Sequence, residues 1–207
     1  MSDDHDRDHG HAHDGHVDSA VLSNRVKGLV ATLERRGILT EDAIDAYIET
    51  YVAAARPANG FRAVARAWTD PAFKARLLAD ATEAVKELGI DITRGTPVRL
   101  RAVENTPERH NVIVCTLCSC YPMNLLGTSP AWYKSEAYRS RVVRDPRGVL
   151  AEFGVVLAPG IEVRVWDSTS ELRYMVVPQR PAGTDGASEA ELAALPTRNG
   201  LIGTALL

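Results

Sequence analysis

The residues with the most chemistry in this chain are Cys115, Cys118 and Cys120, which are all of its cysteines, in the run Cys115-Thr116-Leu117-Cys118-Ser119-Cys120. Val112-Ile113-Val114 precedes the run and Tyr121-Pro122 follows it. The pattern predicts a buried strand that delivers the thiols to a tight turn, with a proline that stops the strand from continuing. Three soft ligands on one small loop point to a metal site.

The spacing leaves several chemistries open. Structural zinc wants four ligands in a closed tetrahedron, and no second C-x-x-C is present. His110, the histidine nearest the loop, or a carboxylate brought in by folding would have to complete such a site. A redox dithiol needs only Cys115 and Cys118 and leaves Cys120 without a purpose. A nucleophilic thiol needs a histidine partner, and His110 is the only histidine outside the N-terminal tail. The third thiol suggests another arrangement. If Cys118 and Cys120 grip one ion, the main-chain nitrogens of Ser119 and Cys120 fall between the sulfurs and close small chelate rings. Two nitrogens and two sulfurs then form a square, with Cys115 as axial ligand and a sixth position open. Such a set suits trivalent low-spin cobalt or iron rather than zinc.

Several elements must hold this loop. The chain has 207 residues, 45% hydrophobic and 25% charged, with a net charge of −3. This fits a soluble globular protein with one good core, and the acidic balance offers no footprint for nucleic acid. No apolar run approaches the roughly 18 residues of a membrane span, and the N-terminus lacks the apolar stretch of a signal peptide, so the cytoplasm is expected. Residues 1–18, with His5, His9, His11, His13 and His16 among Asp, Gly and Arg, read as a disordered tail. Residues 19–66 read as a helical arm. Leu22, Val26, Leu29, Val30 and Leu33 form one stripe, and Ile44, Tyr47, Ile48, Tyr51 and Val52 another. Thr40 caps the second helix, and Pro57 with Asn59-Gly60 closes it. The stripes bury either on another subunit or on the main domain.

Residues 67–207 read as a metal-binding α/β domain. Asp70-Pro71 starts a helix that Gly89 stops. Val98, Leu100 and Ala102 mark a half-buried strand. Trp132 to Val143 forms a helix, and Asp145-Pro146 starts another that ends at Gly154. Ile161, Val163 and Val165 lead through a turn at Asp167-Ser168-Thr169-Ser170 to a returning strand at Tyr174–Val177. Ser188 and Glu191 form a capping box for a final helix. The fold class is mixed α and β.

Val114-Cys115-Thr116-Leu117-Cys118-Ser119-Cys120-Tyr121 resembles the metal-binding motif of nitrile hydratase α subunits. Thr116 and Tyr121 match the cobalt type; iron-type members usually carry Ser at the Thr116 position. The likeness continues through Val103-Glu104-Asn105-Thr106-Pro107, Trp132-Tyr133-Lys134, Tyr138-Arg139-Ser140-Arg141, Arg164-Val165-Trp166-Asp167 and Glu171-Leu172-Arg173-Tyr174-Met175. The resemblance implies a helical arm followed by a four-layer α-β-β-α domain, and hydration of a nitrile to its amide at a non-corrin Co(III) centre. It assigns metal ligation to the Cys115, Cys118 and Cys120 sulfurs and the Ser119 and Cys120 nitrogens. It implies that Cys118 becomes a sulfinic acid and Cys120 a sulfenic acid, with both taking part in catalysis. Asp167, Glu171 and Arg173 would support the loop from behind. A β subunit would supply arginines to the oxidised sulfurs in a heterodimer or heterotetramer, and an activator or metallochaperone would load the metal.

The sequence departs from the family beyond the motif. Cobalt-type members follow it with Tyr-Pro-Trp-Pro, whereas Met123 and Asn124 stand here. That segment lines the substrate pocket in the family, so the departure implies a larger or more polar nitrile. Thiocyanate hydrolase, which has a similar subunit, is the alternative reading. Its anionic substrate calls for a basic residue where Met123 and Asn124 are neutral. A non-catalytic metal-binding protein is a third.

Overall fold

The computed structural model describes residues 19–93, 97–118 and 120–207, so the His-rich tail and Ser119 lie outside the described residues. The chain divides into two compact units between Thr50 and Tyr51. In the first, α1 (Ser19–Arg35) ends before Gly37, whose φ of +63° lets the chain reverse. Thr40 Oγ accepts from the Ala43 amide and caps α2 (Glu41–Ala54). α1 buries none of its residues. Leu22, Val26 and Leu29 on α1, and Tyr47, Ile48 and Val52 on α2, remain exposed.

The second unit starts with α3 (Ala58–Thr69), which buries Gly60, Ala63, Val64, Ala65 and Ala67. The sequence reading placed 19–66 in the arm and Asn59-Gly60 in a turn. In the structure both residues lie in the first turn of α3, whose N-cap is Pro57, and the helix belongs to the main unit. Gly60 lets α3 pack closely, because a Cβ there would lie 2.7 Å from the terminal methyls of Leu126 and Leu201 and would make those side chains shift.

The expected helix from Pro71 to Gly89 is broken in three. Asp70 caps α4 (Pro71–Ala79) by accepting from the Phe73 amide at 2.9 Å. Asp80 then accepts from the Glu83 amide and starts α5 (Ala81–Ala84), followed by a 3-10 turn at Val85–Leu88. A side chain that bonds its own following backbone competes with helix continuation. The helix expected at 132–143 splits the same way. Ser135 ends α7 (Ala131–Lys134) and caps α8 (Glu136–Arg141) through the Tyr138 amide.

The described residues contain four strands in two separate parallel pairs. β1 (Arg99–Glu104) pairs with β4 (Leu172–Val177), and β2 (Arg109–Val114) with β3 (Glu162–Asp167). The hairpin expected between the last two strands does not form. Asp167–Ser170 instead carries the chain from one sheet to the other. β2 and the last four residues of β4 are almost wholly buried, as strands covered on both faces are. α4 and α5 cover β1, and α9 (Pro146–Glu152) covers β3, so helices and the two sheets follow in the α-β-β-α order. The capping box forms at Ser188 and Glu191 and opens α10 (Glu189–Leu192). Two short helices, α6 (Met123–Leu126) and α11 (Arg198–Ile202), complete the unit.

Candidate metal centre

β2 brings the loop out of the core. Val112, Ile113, Val114 and Cys115 are buried, Cys120 is half-buried and Cys118 is exposed. Tyr138 fixes the end of the strand by donating from its hydroxyl to the Ile113 carbonyl at 2.6 Å. Tyr133 holds the far end of the loop, donating to the Cys120 carbonyl at 3.0 Å. Both tyrosines are buried among Trp132, Phe153 and Tyr121, with edge-to-face ring contacts. Their hydroxyls ionise only far above the usual tyrosine range, chiefly because burial penalises the anion, so they stay donors.

The three sulfurs lie within 4.8 Å of one another. Cys118 Sγ is 3.4 Å from Cys115 Sγ and 3.1 Å from Cys120 Sγ. These separations exceed a disulfide bond of about 2.05 Å. Three sulfurs this close together could hold one soft metal ion. Burial and the neighbouring sulfurs push the Cys120 thiol up to about 12, while the charge of Arg173 pulls it down. A bound cation would have to displace that proton.

β3 reaches the loop because it runs parallel to β2 with Asp167 opposite Val114. The Asp167 carboxylate accepts from the Thr116 amide at 2.9 Å and from the Thr116 hydroxyl at 2.6 Å. Ser168 continues the ladder, its amide donating to the Val114 carbonyl at 2.7 Å. Of the other residues singled out behind the loop, Arg173 donates to the Thr169 carbonyl, close enough to Cys120 for its charge to act there. Glu171 is exposed and tied in through its main chain, its carbonyl accepting from the Arg99 amide at 2.7 Å.

Met123 and Asn124 lie in α6, directly after the loop. With Tyr121, Arg173, Ile92 and Tyr51 they line a cavity of about 60 Å³. Asn124 is buried, its amide nitrogen 3.4 Å from the Ile92 carbonyl and its Oδ1 without a partner. α3 steadies this helix, Asn59 donating to the Asn124 carbonyl at 2.8 Å.

His110 cannot join the sulfurs. It lies at the opposite end of β2, with Nε2 donating to the Gly203 carbonyl at 2.7 Å and Nδ1 facing the Asn105 amide at 3.3 Å. A cavity of about 440 Å³ lined in part by His110 and Arg180 belongs to that end too. Sequence reasoning missed Arg139. Its Nη1 donates to the Thr116 carbonyl at 3.3 Å and the Cys118 carbonyl at 3.0 Å. It also assigned no role to Tyr133 and Tyr138; an aromatic-rich segment after a polar loop was the available signal.

The nitrile hydratase α-chain family model matches residues 20–205. The chain is 55% identical over 183 residues to the cobalt-containing nitrile hydratase subunit alpha of Pseudonocardia thermophila, covering 88% of this chain and 89% of that one. Among solved structures, a double mutant of the iron-type nitrile hydratase of Comamonas testosteroni Ni1 superposes with a TM-score of 0.80 at 43% identity, covering 92% of each chain. A recombinant thiocyanate hydrolase with partially modified cobalt centres gives a TM-score of 0.80 at 40% identity, covering 91% of this chain and 89% of its own. A match across nearly the whole length, with the cysteine loop inside it, places this chain in the nitrile hydratase α-chain family.

Proposed function

We propose that this chain is the metal-carrying subunit of a nitrile hydratase that converts a nitrile to its amide with a partner β subunit. The observation that carries the reading is the triad of sulfurs within 4.8 Å of one another, on a loop pinned by Asp167. Cys115, Cys118 and Cys120 would hold the ion, with the Ser119 and Cys120 nitrogens completing the set. Thr116 and the cobalt-containing relative favour cobalt over iron. When bound, the ion supplies Lewis-acid activation of a nitrile or of water at an open position. Sulfinic Cys118 and sulfenic Cys120 belong to the same reading.

The chain's own residues prepare this chemistry. Asp167 fixes the backbone between the first two sulfurs. Tyr133 fixes it after the third. Arg173 places positive charge near Cys120 and lines the small cavity with Met123 and Asn124. Met123 and Asn124 would border the substrate and select a larger or more polar nitrile. The apolar faces of α1 and α2 would bury on the partner, each large aliphatic side chain contributing about 1.5–3 kcal/mol. No helix among the described residues is long and apolar enough to cross a membrane.

The test is co-expression with the β partner in cobalt medium, followed by metal analysis, intact mass and product assay. Cobalt, added oxygens on the peptide containing Cys118 and Cys120, and amide formation are expected. Zinc with unmodified thiols would overturn the reading. Thiocyanate should be assayed in parallel, because the thiocyanate hydrolase chain superposes as closely as the nitrile hydratase chain.

A further inference from the structure

The metal reading leaves the cationic side of the loop unexplained, and the geometry points to Arg139 as its clamp. We propose that Arg139 is a positioning residue that sets how tightly the cysteine loop retains its metal and tunes the electronic character of the centre. This rests on the metal-centre reading above.

Arg139 comes from α8, whose preceding residue, Tyr138, is anchored on the Ile113 carbonyl. Its Nη1 bridges the carbonyls of Thr116 and Cys118, one on each side of Leu117. Asp167 grips the amide and hydroxyl of Thr116. The loop is thus held by an anion through a donor and by a cation through two acceptors. Both grips fix the backbone that sets the spacing of Cys115 and Cys118.

Arg139 makes no ion pair with a carboxylate among the described residues, and its Nε is buried without a partner. A half-buried guanidinium without a counter-ion is costly unless a negative group faces it. The anionic sulfur groups of such a centre are a negative group of this kind, and the clamp sits against their backbone. The Cys118 carbonyl is conjugated with the nitrogen of the next residue. A positive charge on that oxygen therefore draws density from the peptide bond that directly follows Cys118. Loss of the guanidinium should loosen the loop and also shift the sulfur-to-metal absorption.

The experiment compares the complete complex with its partner, as parent, Arg139→Gln, Arg139→Met and Arg139→Lys, after identical cobalt loading. Cobalt per chain, cobalt release into excess chelator, visible absorption and thermal unfolding are measured. Loss of a charge-assisted hydrogen bond predicts about ten- to hundredfold faster release from the Gln and Met variants, with a displaced absorption band. The Lys variant should stay within about threefold of the parent, because the charge is retained. Met fills the stem volume and carries the test if Gln does not assemble. A cobalt-loaded parent with Gln or Met variants that release metal at the parent rate and show an unmoved band overturns the proposal. Equal loss in all three variants, Lys included, overturns it too, because a packing role would not distinguish charge. A parent complex that binds no cobalt overturns the metal-centre reading itself, and the clamp with it.

Discussion

The bond between β3 and the cysteine loop gives a sharp prediction. Asp167→Ala removes two charge-assisted hydrogen bonds, to the Thr116 amide at 2.9 Å and to its hydroxyl at 2.6 Å. Each would be worth about 1.5–3 kcal/mol if shielded. Asp167 is exposed, so solvent screening brings each down to about 1 kcal/mol. The total is then about 2 kcal/mol. If the loop opens as a local unit, that energy appears as about thirtyfold faster metal loss, with little change in global unfolding. If the β2–β3 pair loosens as a whole, the melting temperature of the main unit falls by about 4–8 °C. Asp167→Asn keeps an acceptor for the amide and should fall midway. The assay is cobalt release into chelator alongside thermal unfolding of the complex with its partner. An Asp167→Ala complex with the parent's release rate and melting temperature would show that the loop does not depend on β3.

Three further outcomes follow from other parts of the structure. Gly203→Ala should cost about 3 kcal/mol or more and abolish assembly, read by thermal unfolding, because φ is +89° there and the added Cβ would lie 2.0 Å from the Asn111 carbonyl oxygen. Burial holds the His110 imidazole below its ordinary 6.5, against a smaller opposing effect from its bond to Gly203. The unfolded chain therefore binds the proton first, and the stability owed to neutral His110 is complete above about pH 6.5 and lost as pH falls below it. His110→Gln, which can still accept from Asn105 and donate to Gly203, should flatten that part of a pH-dependent melting curve. Met123→Trp should shift preference from a bulky heteroaromatic nitrile towards a small aliphatic one, measured as a ratio of kcat/KM; an unchanged ratio would remove Met123 from the pocket.

What was legible in the sequence was local. Asp70-Pro71, Thr40 and Ser188 with Glu191 announce helix starts, because a cap needs only its own next three residues. The apolar run into Cys115 and the proline after Tyr121 framed the loop correctly. The strand pairing was not legible. Two strands joined by a short turn read as a hairpin, yet each finds its partner far away in the chain. α6 and α11 are too short to show a helical period. Asp167 was singled out through family likeness, and its carboxylate accepts from the amide and hydroxyl of Thr116. Arg139 lies 21 and 23 residues from the two carbonyls it holds, and nothing in local pattern marks such contacts.

The parallel pairing of β2 with β3 has a consequence for when the centre can exist. Thr116 and Asp167 are separated by 51 residues. A ribosome adding about 5–20 residues per second releases the thiols from its exit tunnel about 3–10 s before Asp167 follows. Non-local strand pairing then adds its own slow search. During that interval the three cysteines have no cage, and any ion or oxidant they meet finds an unshaped loop. Productive metal capture is therefore a late event in the life of the nascent chain.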